Sequence, residues 1–337
     1  MFFQDRIYGK IKIKEPLILE LIKSSSFQRL KEIDQIGYLP LYQKFYSQKI
    51  KKITRFEHSL GVFILLEKFN ASFEEKIAGL LHDLSHGVFS HALDYVFEEG
   101  SEKNHTFQDK IFKDFLKNSE IPLILSKYRI NLNFILNKDN FPLLERDLPD
   151  LCADRIDYSL RNAVSSQEIN KKQVSYFLKN LSVKDNFWFF KNLESAEKYV
   201  RLFFRLNKFY YSAFSTAVMF RVVGDLLKYC LKKGYLKKED LFSTESFVLK
   251  KIKEKLKFDL KLKILFQRME GKIKFKNDPE NYDVIVYCKS RIVDPLVKIG
   301  EKIKRFSQVN KTWKKILKKE LIPKKYFLKF ENSVYFK

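Results

Sequence analysis

Apolar residues recur along most of this chain with the spacing of α-helices. Apolar side chains between residues 27 and 36 follow one another at three-residue steps, which predicts a helix that Gly37 and Pro40 end. Similar patterns predict a helix that begins at Leu17 and further helices over 58–69, 73–84, 147–163 and 194–231, the last as one long helix or a broken pair. The chain is therefore predicted to be mainly helical.

Alternating apolar and polar residues indicate a few short strands. The alternation after Gly9 predicts a strand or hairpin near the N-terminus, and segments 187–190 and 284–287 are typical of short strands. Segment 250–263 alternates lysine with apolar residues, in a period that fits either a strand or a helix. The predicted fold class is mainly α, with small β-hairpin additions near the N-terminus and in the C-terminal third.

The composition agrees with a globular, mainly helical protein. Of the 337 residues, 45% are hydrophobic and 31% are charged, and glycine and proline are scarce. Cys152, Cys230 and Cys288 are far apart and odd in number, so we expect reduced core residues rather than a disulfide framework. No stretch approaches the roughly 18 apolar residues of a membrane span, and the first residues lack signal-peptide features. These observations predict a cytoplasmic protein without a membrane partner.

The formal net charge of +24 is unevenly distributed. Residues 201–337 contain 35 Lys and Arg against 14 Asp and Glu, a net of +21, whereas residues 1–200 contain 30 against 27, a net of +3. One interpretation is a surface that binds nucleic acid or nucleotide phosphates. The other is a genome that favours lysine codons, since the chain is also rich in Phe, Ile, Asn and Tyr.

The histidines indicate where chemistry takes place, because all five lie between His58 and His105. Imidazole is the side chain best suited to bind a transition metal or to move a proton near neutral pH. His82 and Asp83 are adjacent and can converge on one ion at a helix end. His58, on the preceding helix, can supply a third ligand, and Asp154, on a later helix, a fourth. Two imidazoles and two carboxylates suit Fe, Mn, Zn, Co or Ni.

Longer motifs around these histidines resemble a known family. The main motifs are RFEHSLG at 55–61, HDLSHGVFSH at 82–91 and DRIDY at 154–158, with further matches at 5–9, 27–37 and 291–296. They resemble the HD superfamily of metal-dependent phosphohydrolases, and within it the branch of deoxynucleoside triphosphate triphosphohydrolases. We accordingly expect an HD-domain catalytic core over 1–230 and a basic α+β extension over 231–337 packed on the core.

Carried over residue by residue, the resemblance implies metal-binding, catalytic and substrate-binding positions. The implied metal ligands are His58, His82, Asp83 and Asp154. The implied catalytic residues are His86 and His91, which would lie against the phosphate, and His105, which Asp94 would support. The implied substrate-binding residues are Gln35 at the sugar 3′-hydroxyl, Arg55 at a phosphate, Tyr158 on the deoxyribose, Arg155 and Asn162 at the triphosphate or sugar, and Tyr210 at the base.

The reaction that the resemblance implies is hydrolysis of a deoxynucleoside triphosphate to a deoxynucleoside and inorganic triphosphate. The 5′ oxygen leaves poorly without a proton, which His91 or His86 can donate as general acid. The transition metal lowers the pKa of the attacking water, and Arg55 and Arg155 neutralise charge in the transition state. Mg²⁺ carried by the nucleotide's phosphates is the candidate second ion.

Alternatives stay open at the level of the sequence. The same metal site could act on another phosphate ester, such as a nucleoside monophosphate or a nucleic-acid end. A nucleic-acid-binding regulatory protein could instead use the basic C-terminal third. The resemblance also favours a homo-oligomer, a dimer or a tetramer, and leaves open whether a nucleotide effector is needed.

Overall fold

Helices make up most of the structure, a computed structural model that describes residues 1–331. Positions 332–337 of the predicted extension lie outside the described residues. The helices are α1 (Pro16–Lys23), α2 (Ser25–Gln28), α3 (Leu39–Tyr42), α4 (Arg55–Lys68), α5 (Phe73–Leu81), α6 (Phe107–Lys117), α7 (Ile121–Lys127), α8 (Leu132–Leu136), α9 (Ala153–Ser165), α10 (Lys171–Asn180), α11 (Leu193–Leu206), α12 (Phe214–Lys232), α13 (Glu245–Lys255), α14 (Leu260–Met269), α15 (Phe306–Val309) and α16 (Lys311–Glu320). Within residues 1–331, no helix has both the length and the apolar character that crossing a membrane requires.

Small sheets complete the described part of the chain. The strands are β1 (Phe2–Asp5), β2 (Gly9–Lys12), β3 (Leu181–Lys184), β4 (Phe187–Phe190), β5 (Phe275–Asn277), β6 (Val284–Cys288), β7 (Leu296–Ile299), β8 (Lys302–Arg305) and β9 (Lys324–Phe330). They form the hairpin β1-β2, a sheet in the order β3-β4-β7-β8 and a sheet in the order β5-β9-β6. The predicted fold class, mainly α with small β additions, is confirmed.

The four-stranded sheet connects the predicted core to the predicted extension. Strand β4 runs parallel to β7, with Phe189 opposite Leu296 and Phe190 opposite Val297. Strand β7 then turns back antiparallel into β8. Helix α12 also crosses the predicted boundary, since it ends at Lys232. The two parts therefore share a sheet and a helix.

Several predicted helices differ in extent from the observed ones. The helix predicted over 27–36 was too long, because the 3-10 turn Arg29–Glu32 ends at Ile33, whose backbone is extended (φ −96°, ψ 118°). The helix predicted to begin at 147 starts at Ala153, since Pro149 disfavours helix at and before its own position. Segment 194–231 is a broken pair, with α11 and α12 separated by a π turn, and segment 250–263 is helical in α13 and α14.

Helices α4, α5 and α9 hold the residues of the candidate site. Thr54 caps α4: its hydroxyl accepts from the Glu57 N–H, and the Glu57 carboxylate accepts from the Thr54 N–H. Helices α4 and α9 are in close contact at Gly61, where a Cβ atom would lie 2.0 Å from Arg161 Nη2 and 2.2 Å from Asp157 Oδ1. The lack of a side chain at Gly61 thus lets a buried ion pair on α9 lie directly against α4.

Candidate active site

Side chains from three helices converge in a cluster that contains the predicted metal ligands. His58 Nε2 on α4 lies 2.9 Å from Asp154 Oδ1 on α9 and 3.3 Å from the Nε2 of His82, which follows α5. His82 Nε2 is 3.5 Å from the same Asp154 oxygen. Asp83 adds a second carboxylate, with Oδ1 3.4 Å from His82 Nε2 and Oδ2 3.7 Å from His58 Nε2. His58, His82 and Asp154 form a group with the spacing of a metal site.

A hydrogen bond at the other ring nitrogen orients each imidazole of this cluster. His82 Nδ1 donates to the Gly79 carbonyl oxygen, and His58 Nδ1 donates to Asp157 Oδ2, both at 2.8 Å. With the proton on Nδ1, the neutral ring turns the lone pair of Nε2 toward the cluster. Two nitrogen lone pairs and the carboxylates repel one another unless positive charge, from a metal ion or a proton, lies between them. The donor set therefore fits a divalent transition metal.

The carboxylates concentrate negative charge at this cluster. Burial lowers the pKa of His82, but Asp83 and Asp154 outweigh it and raise that pKa to about 9. Burial alone would raise the pKa of Asp154, yet its hydrogen bonds with His58 and His82 hold that pKa well below its usual range. The carboxylates are ionised over a wide pH range, which favours a bound cation.

A row of histidines leads away from the cluster. His86 Nε2 lies 3.3 Å from Asp83 Oδ1. The ring of His86 meets His91 edge-on, with 5.1 Å between ring centroids, and His91 stacks on His105 at 4.4 Å. The imidazoles therefore form a continuous series that begins at a predicted metal ligand.

A strained turn and a carboxylate fix the direction of the His91 ring. Phe89 and Ser90 both adopt left-handed conformations, with φ of 59° and 51°, each at a cost of about 1–3 kcal/mol for residues other than glycine. His91 Nδ1 donates to Asp94 Oδ2 at 3.1 Å, which leaves Nε2 as the nitrogen that can face a substrate. Burial, followed by the positive charge of Arg55, holds the pKa of His91 well below its usual range.

These groups face one cavity of about 620 Å³, a volume typical of small-molecule sites. The predicted site residues that line it are Gln35, Arg55, His58, His82, Asp83, His91, His105, Asp154, Arg155, Tyr158, Asn162 and Tyr210. Lys289 and Arg291 line it too. The predicted C-terminal extension therefore contributes to the wall.

Comparison with known proteins assigns the fold around this cavity. Residues 55–162 match the family model of the HD domain. The chain is 34% identical over 317 residues to YdhJ of Bacillus subtilis, and the match covers 94% of each protein. The chain belongs to the HD-domain phosphohydrolase superfamily.

Other relatives of this HD-domain protein match it over shorter segments. The metal-dependent phosphohydrolase cns2 of Cordyceps militaris is 37% identical over 168 residues, 49% of this chain and 46% of cns2. The deoxynucleoside triphosphate triphosphohydrolase SAMHD1 of Mus musculus is 32% identical over 146 residues, 37% of this chain and 21% of SAMHD1. A phosphohydrolase from Bacteroides thetaiotaomicron shares the fold, with a TM-score of 0.69 over 98% of this chain and 100% of the other, at 18% identity.

Two of the predicted catalytic residues have surroundings that the sequence did not indicate. His86 is 2% exposed and lies behind Asp83 rather than on the cavity wall, and its place against the phosphate stays a prediction. Asp94 hydrogen-bonds to His91 and not, as predicted, to His105. The reason is that these residues lie in a 3-10 helix, where side chains three positions apart face the same side. His105 Nδ1 instead lies 3.4 Å from Arg291 Nη2.

The two arginines expected at the phosphates differ in their hydrogen-bond partners within the protein. Arg155 donates from Nη1 to the Asp150 carbonyl at 2.5 Å and from Nη2 to the Arg146 carbonyl at 3.1 Å. Its guanidinium holds the segment before α9 while Arg155 also lines the cavity, and its reach to a triphosphate or sugar stays a prediction. Arg55 donates from Nη1 to Asp83 Oδ2 at 2.7 Å and from Nε to Ser90 Oγ at 3.0 Å. It therefore links a predicted metal ligand to the turn before His91.

Tyrosine and amide side chains form the wall on which a sugar was predicted to lie. Tyr158 meets Tyr211 edge-on, with 5.5 Å between ring centroids, and Asn162 Nδ2 donates to the Tyr211 hydroxyl at 3.4 Å. Gln35 Oε1 and Asn162 Oδ1 are buried without a hydrogen-bond partner. Tyr210 also lines the cavity, but its hydroxyl donates to a carboxylate after α9. Tyr211, not Tyr210, is thus the partner of Tyr158, and two acceptors remain unused.

Sequence reasoning missed several residues in and behind this site. Asp157, which orients His58, could have been found from its helical spacing to Asp154. Glu145 has no such signal; burial, reinforced by the negative charge of Asp154, raises its pKa to about 7. Lys289 and the role of Arg291 were also missed, because neither lies near the histidine motifs in the sequence.

Proposed function

We propose that this protein hydrolyses deoxynucleoside triphosphates to deoxynucleosides and inorganic triphosphate. A divalent transition metal would be held by His58, His82, Asp83 and Asp154. The observation that carries the proposal is one cavity in which a cation-binding cluster, a histidine with an available nitrogen and a pair of packed tyrosines face one another. The partial similarity to SAMHD1, named a deoxynucleoside triphosphate triphosphohydrolase, supports it.

The side chains of this protein account for the proton in the proposed reaction. When bound, the metal supplies Lewis-acid polarisation of the phosphate and lowers the pKa of water. His91 Nε2 would carry the proton that the 5′ oxygen takes as it leaves. Burial and the positive charge of Arg55 lower the pKa of His91. A phosphate bound beside Arg55 offsets that repulsion and returns the pKa toward neutrality.

The opposite wall accounts for recognition of a deoxyribose. The edge contact with Tyr211 fixes the ring of Tyr158, so this ring cannot easily move aside for a larger sugar. We propose that this ring takes the space of a 2′-hydroxyl. Gln35 Oε1 would accept from the 3′-hydroxyl, which would satisfy an acceptor that is otherwise buried without a partner.

An anion-exchange assay of the purified protein with each dNTP and NTP, with Mn²⁺ and Mg²⁺ singly and mixed, tests the proposal. We expect deoxynucleoside and intact triphosphate from dNTPs, with little product from NTPs and none in EDTA. Release of monophosphate or diphosphate from dNTPs, or no turnover of any triphosphate, would contradict the proposed reaction.

A second candidate function is hydrolysis of a nucleoside monophosphate in the same cavity. It is favoured by one observation: Arg155 is engaged by backbone carbonyls, which removes one of the two arginines expected at the triphosphate. Adding deoxynucleoside monophosphates to the same assay decides between the two. Release of inorganic phosphate from them, without turnover of dNTPs, would favour this candidate.

A further inference from the structure

Two basic side chains enter the cavity from outside the HD-domain segment 55–162. Lys289 and Arg291 lie in the loop after β6, and both line the cavity. The Arg291 N–H donates to Asn207 Oδ1 at 2.7 Å, which ties this loop to the turn between α11 and α12. The pair is therefore held in place by the backbone, and the side chains need no contact of their own to remain there.

Neither cation of this pair forms an ion pair within the described residues, although the negative charge of Asp109 partly offsets the low pKa of Lys289. Among the described residues, no carboxylate lies within 4.0 Å of the charged nitrogens of Lys289 or Arg291. Burial, followed by repulsion from Arg291, lowers the pKa of Lys289 to about 8. Two neighbouring cations in a partly desolvated cavity are unfavourable, and a bound anion relieves both the desolvation and the repulsion.

His105 adds a donor at the same place. Arg291 Nη2 can only donate, so His105 Nδ1, 3.4 Å away, is the acceptor and the proton of the neutral ring is on Nε2. His105 is 2% exposed, and its Nε2 is buried without a partner. An N–H group buried in this way needs an acceptor. All three side chains line the cavity, with positive charge on Lys289 and Arg291 and an unused donor on His105.

We infer that Lys289, Arg291 and His105 form an anion subsite for the phosphates farther from the cleaved bond. The inference rests on the proposed function, because it assigns the β- and γ-phosphates of the same substrate. The histidine row fixes the direction: it runs from Asp83 at the metal cluster to His105 at the subsite. The substrate's phosphate chain would follow this row, and the C-terminal extension would select nucleotides with a polyphosphate.

Calorimetric titration with inorganic tripolyphosphate tests the subsite apart from turnover. The test protein carries Lys289→Gln and Arg291→Gln. The matched control carries Lys302→Gln and Lys304→Gln, which remove the same charge from exposed positions of β8 outside the cavity. We expect the dissociation constant to rise about tenfold or more in the test protein, since two charge-assisted contacts are lost, and to stay near the wild-type value in the control.

The outcomes separate this inference from the proposed function. A rise of less than about threefold over the control, or no binding of tripolyphosphate by the wild type at roughly millimolar concentration, overturns the subsite. If dNTPs are not hydrolysed but tripolyphosphate binding still depends on the pair, the subsite stands and the proposed reaction fails. If dNTPs are hydrolysed with an unchanged KM in the test protein, the proposed reaction stands and the subsite fails. Should the double variant not fold, Lys289→Gln alone serves for the same comparison.

Discussion

At the scale of single residues, the imidazoles of the metal-ligand cluster and those of the histidine row differ in their electrostatic surroundings. His58 and His82 lie among carboxylates, which raise the pKa of both against the effect of burial. His91 and His105 are buried near positive charge, and the pKa of each falls well below its usual range. One set is therefore suited to hold a cation, and the other to contact an anion.

Single substitutions should separate these two roles. We expect His82→Ala to lose both bound metal and hydrolysis, because it removes a nitrogen donor from the cluster. His91→Ala should retain the metal while its rate falls about 10²–10⁴-fold, the usual contribution of a general acid. Elemental analysis of the purified variants, beside steady-state rates, is the measurement. Equal metal loss in both variants would count against the proposed role of His91.

Asp157 is expected to act on the metal through His58. Its carboxylate accepts from His58 Nδ1 at 2.8 Å, so Asp157→Asn should weaken metal binding about 10–100-fold. Competition with a chelator measures this. Asp225→Asn, a carboxylate on α12 that does not line the cavity, is the control. Wild-type metal affinity in Asp157→Asn would show that the hydrogen bond does not orient the ligand.

At the scale of secondary-structure elements, the close contact of α4 with α9 positions the cluster. Alanine is more favourable than glycine inside a helix by about 1 kcal/mol. Helix propensity alone therefore predicts that Gly61→Ala stabilises the protein. The added Cβ would lie 2.0 Å from Arg161 Nη2 and 2.2 Å from Asp157 Oδ1, within a fully buried ion pair. We expect a net loss of about 2–4 kcal/mol in the free energy of unfolding, measured in urea. Glu67→Ala, on the same helix, is the control, and a more stable Gly61→Ala protein would refute the argument.

At the scale of the whole molecule, the C-terminal third is part of the structure that forms the site. Strand β7 pairs with β4, α14 packs on α12, and the loop after β6 lines the cavity. Part of the positive charge in this third therefore faces the cavity, where it suits nucleotide phosphates. This favours the first interpretation of the uneven charge at those positions without requiring a nucleic-acid partner.

Removal of this third should therefore disrupt the rest of the protein. A chain ending at Lys232, the last residue of α12, leaves β4 without β7 and exposes the face of α12 that packs against α14. We expect loss of the near-ultraviolet circular dichroism signal and of a cooperative thermal transition. A truncated chain that unfolds cooperatively and binds tripolyphosphate like the full-length protein would show that 1–232 folds independently.

Local patterns were sufficient for the helical class, the N-terminal hairpin and the strands at 187–190 and 284–287. They also indicated His58, His82 and Asp154, which the fold brings together. Helical periodicity and adjacent metal-binding side chains depend on residues close in sequence, so they are visible in the chain itself. The boundary at Ile33 was not visible, because the pairing of Asp34 with Thr54 in the folded chain accompanies it. The later start of α9 had a local signal in Pro149, which the helix prediction did not use.

Contacts between residues far apart in the sequence set the remaining part of the cavity. Folding brought Lys289 and Arg291 to His105. No periodicity or spacing connects residues 184 or more positions apart, so sequence patterns cannot show which of them share a cavity. The cluster of His58, His82 and Asp154 follows from local motifs, whereas the wall that His105, Lys289 and Arg291 form exists only because separate parts of the chain pack together.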